Sequence, residues 1–487
     1  MTGQSNGAIW MTASAIAEVT GGQVDRSGAA DPAVGVSTDT RSLRPGQLFV
    51  ALRGPRFDAN LFAQQALAAG AAGVLVDRPL TGPSDHSRGF VVRVDDCKRT
   101  LQAIASEHRD RVAAGVIGIT GSCGKTTTKD LCAAALRTAG PTVAARGSFN
   151  NQIGLPVTLC EIEARTRFAV CELGTSAPGE IERLARLARP DIGVLTCVRE
   201  AHLEGLGSLE GIAEEKSRLF AHLQPDGVAV LDADDPFCVR IAADLDRPVR
   251  LVSTEREADL FASEIRFDGE GLRFLAHGEG FDSTEVFVPR SARHDVKNAL
   301  FALQVGRLCG VATSQLVRGL ADAAPTPRRL EMRRAQGLRV LDDSWNMSPS
   351  SALAALRTLD DVAGGAHRVV VFGDMRELGD KSAERHRELG ERAAEHAPRL
   401  LVTVGQEAHR IAQSAISSGL SAGQVIATNT ATEAFDALAD RLEGGEVVLC
   451  KASRGIGLDR LVDRLVGESW PRAQKAQVSA RAAAGEI

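Results

Sequence analysis

Residues 118–128 have the residue types and spacing of a loop that binds the phosphates of a nucleotide. Gly121 and Gly124 let the backbone curve so that successive N–H groups point at phosphate oxygens, and the start of the next helix adds its positive end. Lys125 supplies a positive charge for the terminal phosphates, and the hydroxyl of Thr126 is placed to bind Mg²⁺. The sequence therefore predicts a site for a nucleoside triphosphate.

The residues around this loop favour the same interpretation. Apolar residues 114–119 predict a buried strand, and residues 126–139 predict a helix that Gly140 and Pro141 end. A Gly-Lys-Thr sequence alone occurs by chance in unrelated turns, but a strand before it and a helix after it indicate a phosphate loop. Cys123 lies inside the loop, either as an oxidation-sensitive thiol of low pKa or as a small loop-filling side chain.

Length, charge and cysteine usage predict a large cytoplasmic enzyme. The 487 residues are enough for about three domains. The net charge of −5 provides no basic field for nucleic acid. Nine cysteines without a Cys-x-x-Cys pair argue against a disulfide framework and a structural zinc site. The start of the chain lacks a secretory signal, and no segment approaches membrane-spanning length, so we expect no membrane insertion.

The pattern of apolar runs divides the chain into three α/β blocks and a tail. Residues 1–111 predict a small mixed unit, residues 112–325 a largely parallel sheet that carries the phosphate loop, and residues 326–470 a second nucleotide-type α/β domain. Predicted strands lie at 46–52, 73–76, 168–171, 192–198, 338–341, 368–372, 400–404 and 447–450. Residues 323–327, with two prolines, are the predicted hinge, and residues 471–487 are predicted to be disordered.

Three further side chains are candidates for chemistry. Glu172 ends an apolar strand, where it could hold Mg²⁺ beside the phosphate loop or simply be a capping or solvated carboxylate. His202 could be a second metal ligand, although its spacing alone favours an ordinary loop histidine. Lys216 lies on a predicted helix among acidic residues, where an exposed lysine is the default expectation.

Taken together, these features resemble the Mur ligases, the ATP-dependent amide-forming enzymes of peptidoglycan synthesis, over nearly the full chain. The resemblance is carried by Asn-Asn-Gln-Ile-Gly-Leu-Pro at 150–156, Glu-Leu-Gly at 172–174 with Pro-Gly-Glu-Ile at 178–181, and Ala-His-Leu-Glu-Gly at 201–205. These sequence motifs resemble those of the family branch that joins D-alanyl-D-alanine to UDP-N-acetylmuramoyl-tripeptide. The phrase at 178–181 distinguishes that branch from the ligase that adds the third amino acid.

The resemblance implies a three-domain Mur ligase architecture and an ATP-dependent reaction. An N-terminal α/β domain would bind the UDP part of the substrate, a central P-loop ATPase-like domain would bind ATP and Mg²⁺, and a Rossmann-like domain would complete the site. The implied reaction proceeds through an acyl phosphate, the implied partners are UDP-N-acetylmuramoyl-tripeptide and D-alanyl-D-alanine, and we expect a monomer.

The resemblance also implies roles for individual residues. Mg²⁺ would be held by Thr126, Glu172, His202 and Lys216, the last as a carbamate, which is carboxylate-like. The catalytic groups would be Lys125, Glu172, His202, Lys216 and Arg329. The nucleotide would contact Gly121, Ser122, Cys123, Gly124, Lys125, Thr126, Thr127, Asn298, Arg329, Asp343 and Asn346. The substrates would contact Thr38, Asp39, Thr40, Arg41, Asn150, Asn151, Lys451, Ser453 and Arg454.

Three positions depart from the family pattern. Trp345 stands where a tyrosine is usual, so its hydroxyl contact would be lost while stacking survives. Arg328 and Ala452 occupy positions where glycine is common in the family. The backbone conformation at these positions is therefore open, whereas the charged side chains beside them are kept. Two other functions stay open: a different Mur-type or folylpolyglutamate-type ligase, and a regulatory ATPase whose turnover is indifferent to any amine.

Overall fold

The computed structural model describes residues 10–28, 32–55, 57–80, 89–335 and 337–467. The tail predicted to be disordered, residues 471–487, lies outside the described residues. In the described part of the chain, no helix combines the length and the apolar character that crossing a membrane requires.

The N-terminal unit is a small sheet packed against helices. Its strands are β1 (Gln23–Arg26), β2 (Val36–Ser37), β3 (Leu48–Val50), β4 (Arg53–Gly54), β5 (Phe57–Asp58), β6 (Gly73–Val76) and β7 (Phe90–Arg93), and its helices are α1 (Ala13–Thr20), α2 (Ala63–Ala68) and α3 (Cys97–Arg111). The strand order is β1-β7-β6-β3-β2, parallel except for β1, while β4 and β5 form a separate hairpin. Helix α3 begins where the Asp96 carboxylate accepts hydrogen bonds from two backbone N–H groups.

The central unit is built on one large sheet. Its strands are β8 (Gly115–Thr120), β9 (Thr142–Ala144), β10 (Phe168–Glu172), β11 (Ile192–Leu195), β12 (Val228–Asp232), β13 (Val249–Ser253), β14 (Leu260–Phe267), β15 (Leu272–Gly278) and β16 (Phe281–Val288). Its helices are α4 (Lys125–Arg137), α5 (Gly154–Leu159), α6 (Glu180–Ala188), α7 (Leu203–Leu206), α8 (Leu209–Ser217), α9 (Pro236–Asp244), α10 (His294–Leu308) and α11 (Thr313–Ala321).

The strand order of this sheet decides which residues meet. Across the sheet the order is β16-β15-β14-β13-β12-β11-β8-β10-β9, parallel from β9 to β14. Because β8 lies between β10 and β11, the residues that follow these three strands leave the sheet side by side at their carboxyl ends. The antiparallel meander from β14 to β16 extends the sheet beyond the parallel part, which the sequence interpretation did not include.

The C-terminal unit is a second parallel sheet with helices. Its strands are β17 (Glu331–Ala335), β18 (Leu338–Asp343), β19 (Arg368–Gly373), β20 (Leu400–Val404), β21 (Val425–Thr428) and β22 (Val447–Lys451), and its helices are α12 (Pro349–Ala363), α13 (Ser382–Glu395), α14 (His409–Ser417), α15 (Ala431–Ala439) and α16 (Leu458–Gly467). The order β17-β18-β22-β19-β20-β21 is parallel apart from β17. The buried strands are nearly continuous runs of Val and Leu, as expected of a sheet covered on both faces.

The N-terminal and central units share a hydrophobic core. One buried cluster runs from Trp10 and Leu101 of the first unit to Leu155 and Leu184 of the second. At this junction the indole N–H of Trp10 donates a hydrogen bond of 3.1 Å to Nδ1 of buried His108, whose Nε2 lies 2.7 Å from the carbonyl oxygen of Ile162. The predicted boundaries at 111/112 and 325/326 fall in the connections from α3 to β8 and from α11 to β17, and they stay predictions.

Candidate active site

The phosphate loop connects β8 to α4, and its two glycines have conformations that other residues rarely adopt. Gly121 has φ +148° and Gly124 has φ +80°. A Cβ atom on Gly121 would lie 1.9 Å from Oγ1 of Thr196, and one on Gly124 would lie 2.6 Å from Oδ1 of Asn298. Contacts this short leave no room for a side chain, so both positions require glycine.

The segment that follows β11 braces the loop from the side. The hydroxyl of buried Thr196 donates a hydrogen bond of 2.5 Å to the carbonyl oxygen of Cys123. The backbone N–H of Ser122 donates to the carbonyl of Cys197 over 2.9 Å, and the Ser122 hydroxyl donates to the carbonyl of Arg199 over 2.8 Å. The loop is therefore held by side-chain and backbone contacts before any phosphate reaches it.

Lys125 and Thr127 occupy the first turn of α4. The Lys125 ammonium folds back over the loop and donates to the carbonyl oxygens of Gly121, at 2.5 Å, and Ser122, at 3.4 Å. Thr127 is buried against the sheet. A partly exposed ammonium at the mouth of the loop is placed to meet the outer phosphates of a nucleotide.

The Glu172 carboxylate at the end of β10 is held from both sides, by Thr126 of α4 and by Asn150. The Thr126 hydroxyl donates a hydrogen bond of 2.9 Å to Oε2 of Glu172, and Nδ2 of Asn150 donates one of 2.7 Å to Oε1. Glu172 is buried and has no cation as a hydrogen-bond or ion-pair partner among the described residues. A buried carboxylate beside a hydroxyl and a phosphate loop fits the oxygen donors that Mg²⁺ prefers.

Lys216 is buried, contrary to the default expectation of an exposed lysine. Its side chain makes no hydrogen bond or ion pair with the described residues. Burial is the main cause and the nearby Lys125 charge the second cause that lowers the pKa of the Lys216 ammonium to about 7. A lysine with that pKa has a substantial fraction of neutral amine near neutral pH, and the neutral amine is the form that reacts with CO₂ to give a carbamate.

The residue next to Lys216 is engaged elsewhere. The buried Glu215 carboxylate accepts hydrogen bonds from the backbone N–H groups of Gly179, at 2.7 Å, and Ile181, at 2.8 Å. It therefore ties α8 to the start of α6, within the sequence at 178–181, and makes no direct ion pair with Lys216.

His202 lies where the central and C-terminal units meet. Its backbone is left-handed, with φ +55°, and its Nδ1 is 2.7 Å from Oε2 of Glu377 in the C-terminal unit. Burial lowers the pKa of the imidazole, and the Glu377 charge opposes that change. A second contact joins the same two units, because Arg385 of the C-terminal unit forms an ion pair of 2.9 Å with Glu200 of the central unit.

Asn298, the predicted adenine contact, lies near the start of α10, beside the phosphate loop. Its Nδ2 donates to Asp295 over 2.8 Å, and its Oδ1 accepts from the hydroxyl of Thr128 over 3.1 Å. Since Oδ1 also lies over Gly124, the start of α10 and the phosphate loop form one surface.

The C-terminal unit brings together Asp343, Asn346 and Lys451. The buried Lys451 ammonium donates to Asp343 over 2.6 Å and to the carbonyl oxygen of Asn346 over 2.9 Å. These contacts pair the Lys451 ammonium with a carboxylate inside the unit and hold the loop after β18. The expected role of Lys451 toward an anionic substrate stays a prediction, and its observed contacts are structural.

Arg454 and Trp345 line a cleft next to that loop. The Arg454 guanidinium lies over the Trp345 ring at 4.2 Å from its centre, which is a cation–π contact. The Ser453 hydroxyl accepts a hydrogen bond of 3.0 Å from the backbone N–H of Arg376. The cleft has a volume of about 300 Å³ and is lined by Arg328, Ser344, Trp345, Arg454, Gly455, Ile456, Gly457, Asp459 and Arg460.

The two arginines at the hinge differ in their contacts. Arg328 has φ +60°, the conformation that a glycine at this position adopts easily, and its guanidinium pairs with Asp459 over 2.8 Å. The Arg329 side chain is half-buried and makes no ion pair or hydrogen bond with the described residues. Arg329 is therefore the arginine that can turn to a ligand.

The remaining predicted residues are not in contact with this cluster. Asp39 forms a two-pronged ion pair with exposed Arg41, whose hydrogen bonds lower the pKa of the Asp39 carboxyl, and Thr38 and Thr40 share this turn of the N-terminal unit. Asn151 accepts hydrogen bonds from the backbone N–H groups that open α5. The structure thus joins the phosphate loop, Glu172, Asn150 and Asn298, and leaves the segment at 38–41 apart.

The sequence interpretation missed several residues that build the site. Thr196, Glu200, Glu215, Glu377 and Arg385 were not singled out. Thr196 could have been found, because it lies near the carboxyl end of an apolar strand, as Glu172 does. Glu377 and Arg385 carry no local signal, since their partners lie far away in sequence.

Comparisons with known proteins agree with this geometry. Residues 119–306 match the Mur ligase middle domain, and residues 328–454 match the Mur ligase glutamate ligase domain. The chain is 36% identical over 433 residues, 89% of this chain and 93% of the relative, to the UDP-N-acetylmuramoyl-tripeptide–D-alanyl-D-alanine ligase of Bacillus subtilis. The crystal structure of MurF from Acinetobacter baumannii is similar with a TM-score of 0.81 and 30% identity, covering 94% of this chain and 99% of that one. The MurF ligase of Thermotoga maritima in complex with ADP has a TM-score of 0.76 and 27% identity, covering 91% and 98%.

Proposed function

The chain belongs to the Mur ligase family, and on that premise we propose that it joins D-alanyl-D-alanine to UDP-N-acetylmuramoyl-tripeptide at the expense of ATP. The product is the pentapeptide precursor of peptidoglycan. The observation that carries the proposal is that the phosphate loop, the Thr126–Glu172 pair and buried Lys216 lie at one edge of the central sheet. Among the described residues, Lys216 has no hydrogen-bond or ion-pair partner. The name of the Bacillus subtilis relative and the ADP bound to the Thermotoga maritima protein support the substrates and the nucleotide.

The first step forms an acyl phosphate. The terminal carboxylate of the tripeptide attacks the γ-phosphorus of ATP, and ADP leaves. Two anions must approach one another, so Lys125 and Arg329 contribute by balancing charge on the phosphates. Arg329 is suited to this role because its side chain is not held by an ion pair with the described residues.

Mg²⁺ fits the donor atoms around Glu172. Thr126, Glu172, His202 and carbamylated Lys216 would hold it, and the bound ion would neutralise phosphate charge and polarise the γ-phosphoryl group. In the described part of the chain, no group of three or more His, Cys, Asp or Glu side chains has the geometry of a metal site, so the proposed set depends on the Thr126 hydroxyl and the modified lysine.

The second step forms the amide bond. The neutral amine of D-alanyl-D-alanine attacks the acyl carbon, and phosphate departs from the tetrahedral intermediate. Because little proton transfer is required of the protein, catalysis consists mainly of holding the reacting groups together and balancing their charge. Arg454, Trp345 and the 300 Å³ cleft they line lie on the C-terminal unit, where they would receive the incoming amine substrate.

An amine-swap assay tests this function. Phosphate release from ATP is measured with UDP-N-acetylmuramoyl-tripeptide and, in turn, D-alanyl-D-alanine, a diamino acid or glutamate. We expect release to depend on both the tripeptide nucleotide and D-alanyl-D-alanine. Stimulation by a single amino acid would assign another Mur-type or folylpolyglutamate-type ligase, and turnover indifferent to every amine would assign a regulatory ATPase.

A further inference from the structure

Two of the nine cysteines lie together at the phosphate loop. Cys123 belongs to the loop, and Cys197 to the brace that follows β11. The Cys197 thiol donates a weak hydrogen bond of 3.8 Å to the carbonyl oxygen of Cys123, and the Ser122 N–H bonds the Cys197 carbonyl over 2.9 Å, so the two cysteines lie on neighbouring segments. Both residues are partly exposed.

We propose that Cys123 and Cys197 form an oxidisable thiol pair, which a peroxide converts to a disulfide that weakens ATP binding at the phosphate loop. The effect on ligation rests on the proposed function, whereas the chemistry of the pair does not. The shorter hydrogen bonds between the loop and the segment after β11 are made by Thr196, Ser122 and backbone groups rather than by the two thiols.

The surroundings select this pair over the other thiols. The hydrogen bond from Cys197, and then the charges of Lys125 and Lys451, lower the pKa of the Cys123 thiol. Burial raises the pKa of the other seven thiols outside the pair: Cys97, Cys132, Cys160, Cys171, Cys238, Cys309 and Cys450. A thiolate reacts with peroxides far faster than a thiol, so oxidation begins at Cys123.

The reaction balances with hydrogen peroxide as the only co-reactant. The Cys123 thiolate attacks one peroxide oxygen, the O–O bond breaks, and the departing hydroxide takes a proton to become water, which leaves a sulfenic acid. The Cys197 sulfur then attacks the Cys123 sulfur, the S–S bond forms, and the hydroxyl group leaves with the Cys197 proton as a second water. The two sulfurs lose two electrons and the peroxide gains two.

The disulfide would disturb the nucleotide site directly. A covalent S–S bond is much shorter than a thiol–thiol hydrogen bond, so Cys123 must move toward the brace, and its backbone N–H moves with it. That N–H group lies in the loop predicted to surround the phosphates. A loss of at least about tenfold in kcat/KM for ATP is expected, comparable to losing one hydrogen bond to a charged group. Bound ATP, in turn, should hold the loop in place and slow the oxidation.

The test uses the full-length protein, hydrogen peroxide and peptide mapping by mass spectrometry. Wild type should yield a Cys123–Cys197 cross-linked peptide, more slowly with MgATP present, and dithiothreitol should reverse both the cross-link and the loss of nucleotide affinity. In the Cys197→Ser variant, which keeps a hydrogen-bond donor, Cys123 should be oxidised without a cross-link. With no second thiol to condense with its sulfenic acid, it should react with a second peroxide to give sulfinic acid and water, and dithiothreitol does not reduce sulfinic acid. Cys309→Ser, which removes another partly exposed thiol, should behave as wild type.

These measurements distinguish failure of the thiol-pair proposal from failure of the proposed ligase function. Absence of the cross-link in oxidised wild type, or equal reversible inactivation of Cys197→Ser, would overturn the proposal. The peptide map of wild type decides the question even if a variant fails to fold. A cross-link that lowers ATP affinity in a protein without amine-dependent turnover would support the thiol pair while removing the proposed ligase function.

Discussion

The Thr126 hydroxyl donates a hydrogen bond of 2.9 Å to the Glu172 carboxylate, although 46 residues separate the two in sequence. The contact exists because β10 pairs in parallel with β8, with Glu172 in register with Ile119. The end of one strand and the first turn of the helix after its neighbour thus form one oxygen-rich surface, with Asn150 holding the other carboxylate oxygen.

Thr126→Val should impair ATP turnover and leave the fold intact. The substitution keeps the side-chain shape but removes the hydroxyl that bonds Glu172 and would bind Mg²⁺, so we expect at least a tenfold loss in kcat/KM for MgATP, about 1.4 kcal/mol. Thr138→Val is the matched control, because its hydroxyl bonds the Ala135 carbonyl at the far end of α4. Equal kinetics in both variants would refute a metal role for Thr126.

Lys216 variants should separate a carbamate from a simple cation. Lys216→Ala should lose most ligation activity, and added acetate should restore part of it, since a small carboxylate can occupy the vacated space and replace the carbamate oxygens. Lys216→Arg keeps a positive charge and should be inactive with or without acetate. Wild-type ligation by Lys216→Ala would exclude a metal role for this lysine.

Arg329 and Arg328 should have opposite phenotypes. Arg329→Ala should lower kcat at least tenfold with an unchanged free energy of unfolding, because its side chain holds no other group in the described structure. Arg328→Ala should keep most activity but lose roughly 0.5 kcal/mol of stability with the Asp459 ion pair. Steady-state kinetics and urea denaturation of both variants provide the comparison, and a stability loss confined to Arg329→Ala would contradict the assignment.

His108 should make stability dependent on pH. Burial lowers the pKa of its imidazole below the ordinary value of 6.5, so the unfolded chain takes up the proton first as pH falls. The contribution of His108 to the free energy of unfolding is complete above about pH 6.5 and is lost progressively below it, down to the folded-state pKa.

Urea denaturation at about pH 5.5 and about pH 7.5 measures this effect. When the pH is lowered from the higher to the lower value, His108→Gln should lose less free energy of unfolding than wild type does, because glutamine does not titrate. The variant of exposed His367, His367→Gln, is the control and should behave as wild type. An unchanged pH dependence in His108→Gln would show that this imidazole is not the responsible group.

We also expect the C-terminal unit to move onto ATP during the reaction. In the structure, Glu200–Arg385 and His202–Glu377 connect the central and C-terminal units. Arg385→Gln removes one connection and should increase the radius of gyration in small-angle scattering without ligands, and ATP with substrate should reduce it again. Identical radii in all four samples of wild type and variant would argue against a large movement.

Much of the site was predictable from sequence because its signals are local. The glycines, Lys125 and Thr126 must occupy one short loop, so their spacing alone defines a phosphate site, and Glu172 follows an apolar strand where metal ligands are common. Lys216 could be assigned only through family resemblance, since its neighbours in sequence suggest exposure whereas the fold buries it. The meander from β14 to β16 was missed because its alternating polar and apolar residues lie in a charged stretch that was not interpreted.

The sequence by itself determined the α/β class, the three-part organisation with its nucleotide loop, and the family to which the chain belongs, and the predicted fold class is confirmed. These depend on periodicity and motifs of a few neighbouring residues. Only the tertiary structure decided that β8 lies between β10 and β11, that Lys216 is buried, that Lys451 is held by Asp343, and that Cys197 contacts Cys123. Each of these joins residues from separate strands or helices, and strand order and burial result from packing the whole chain rather than from any local pattern.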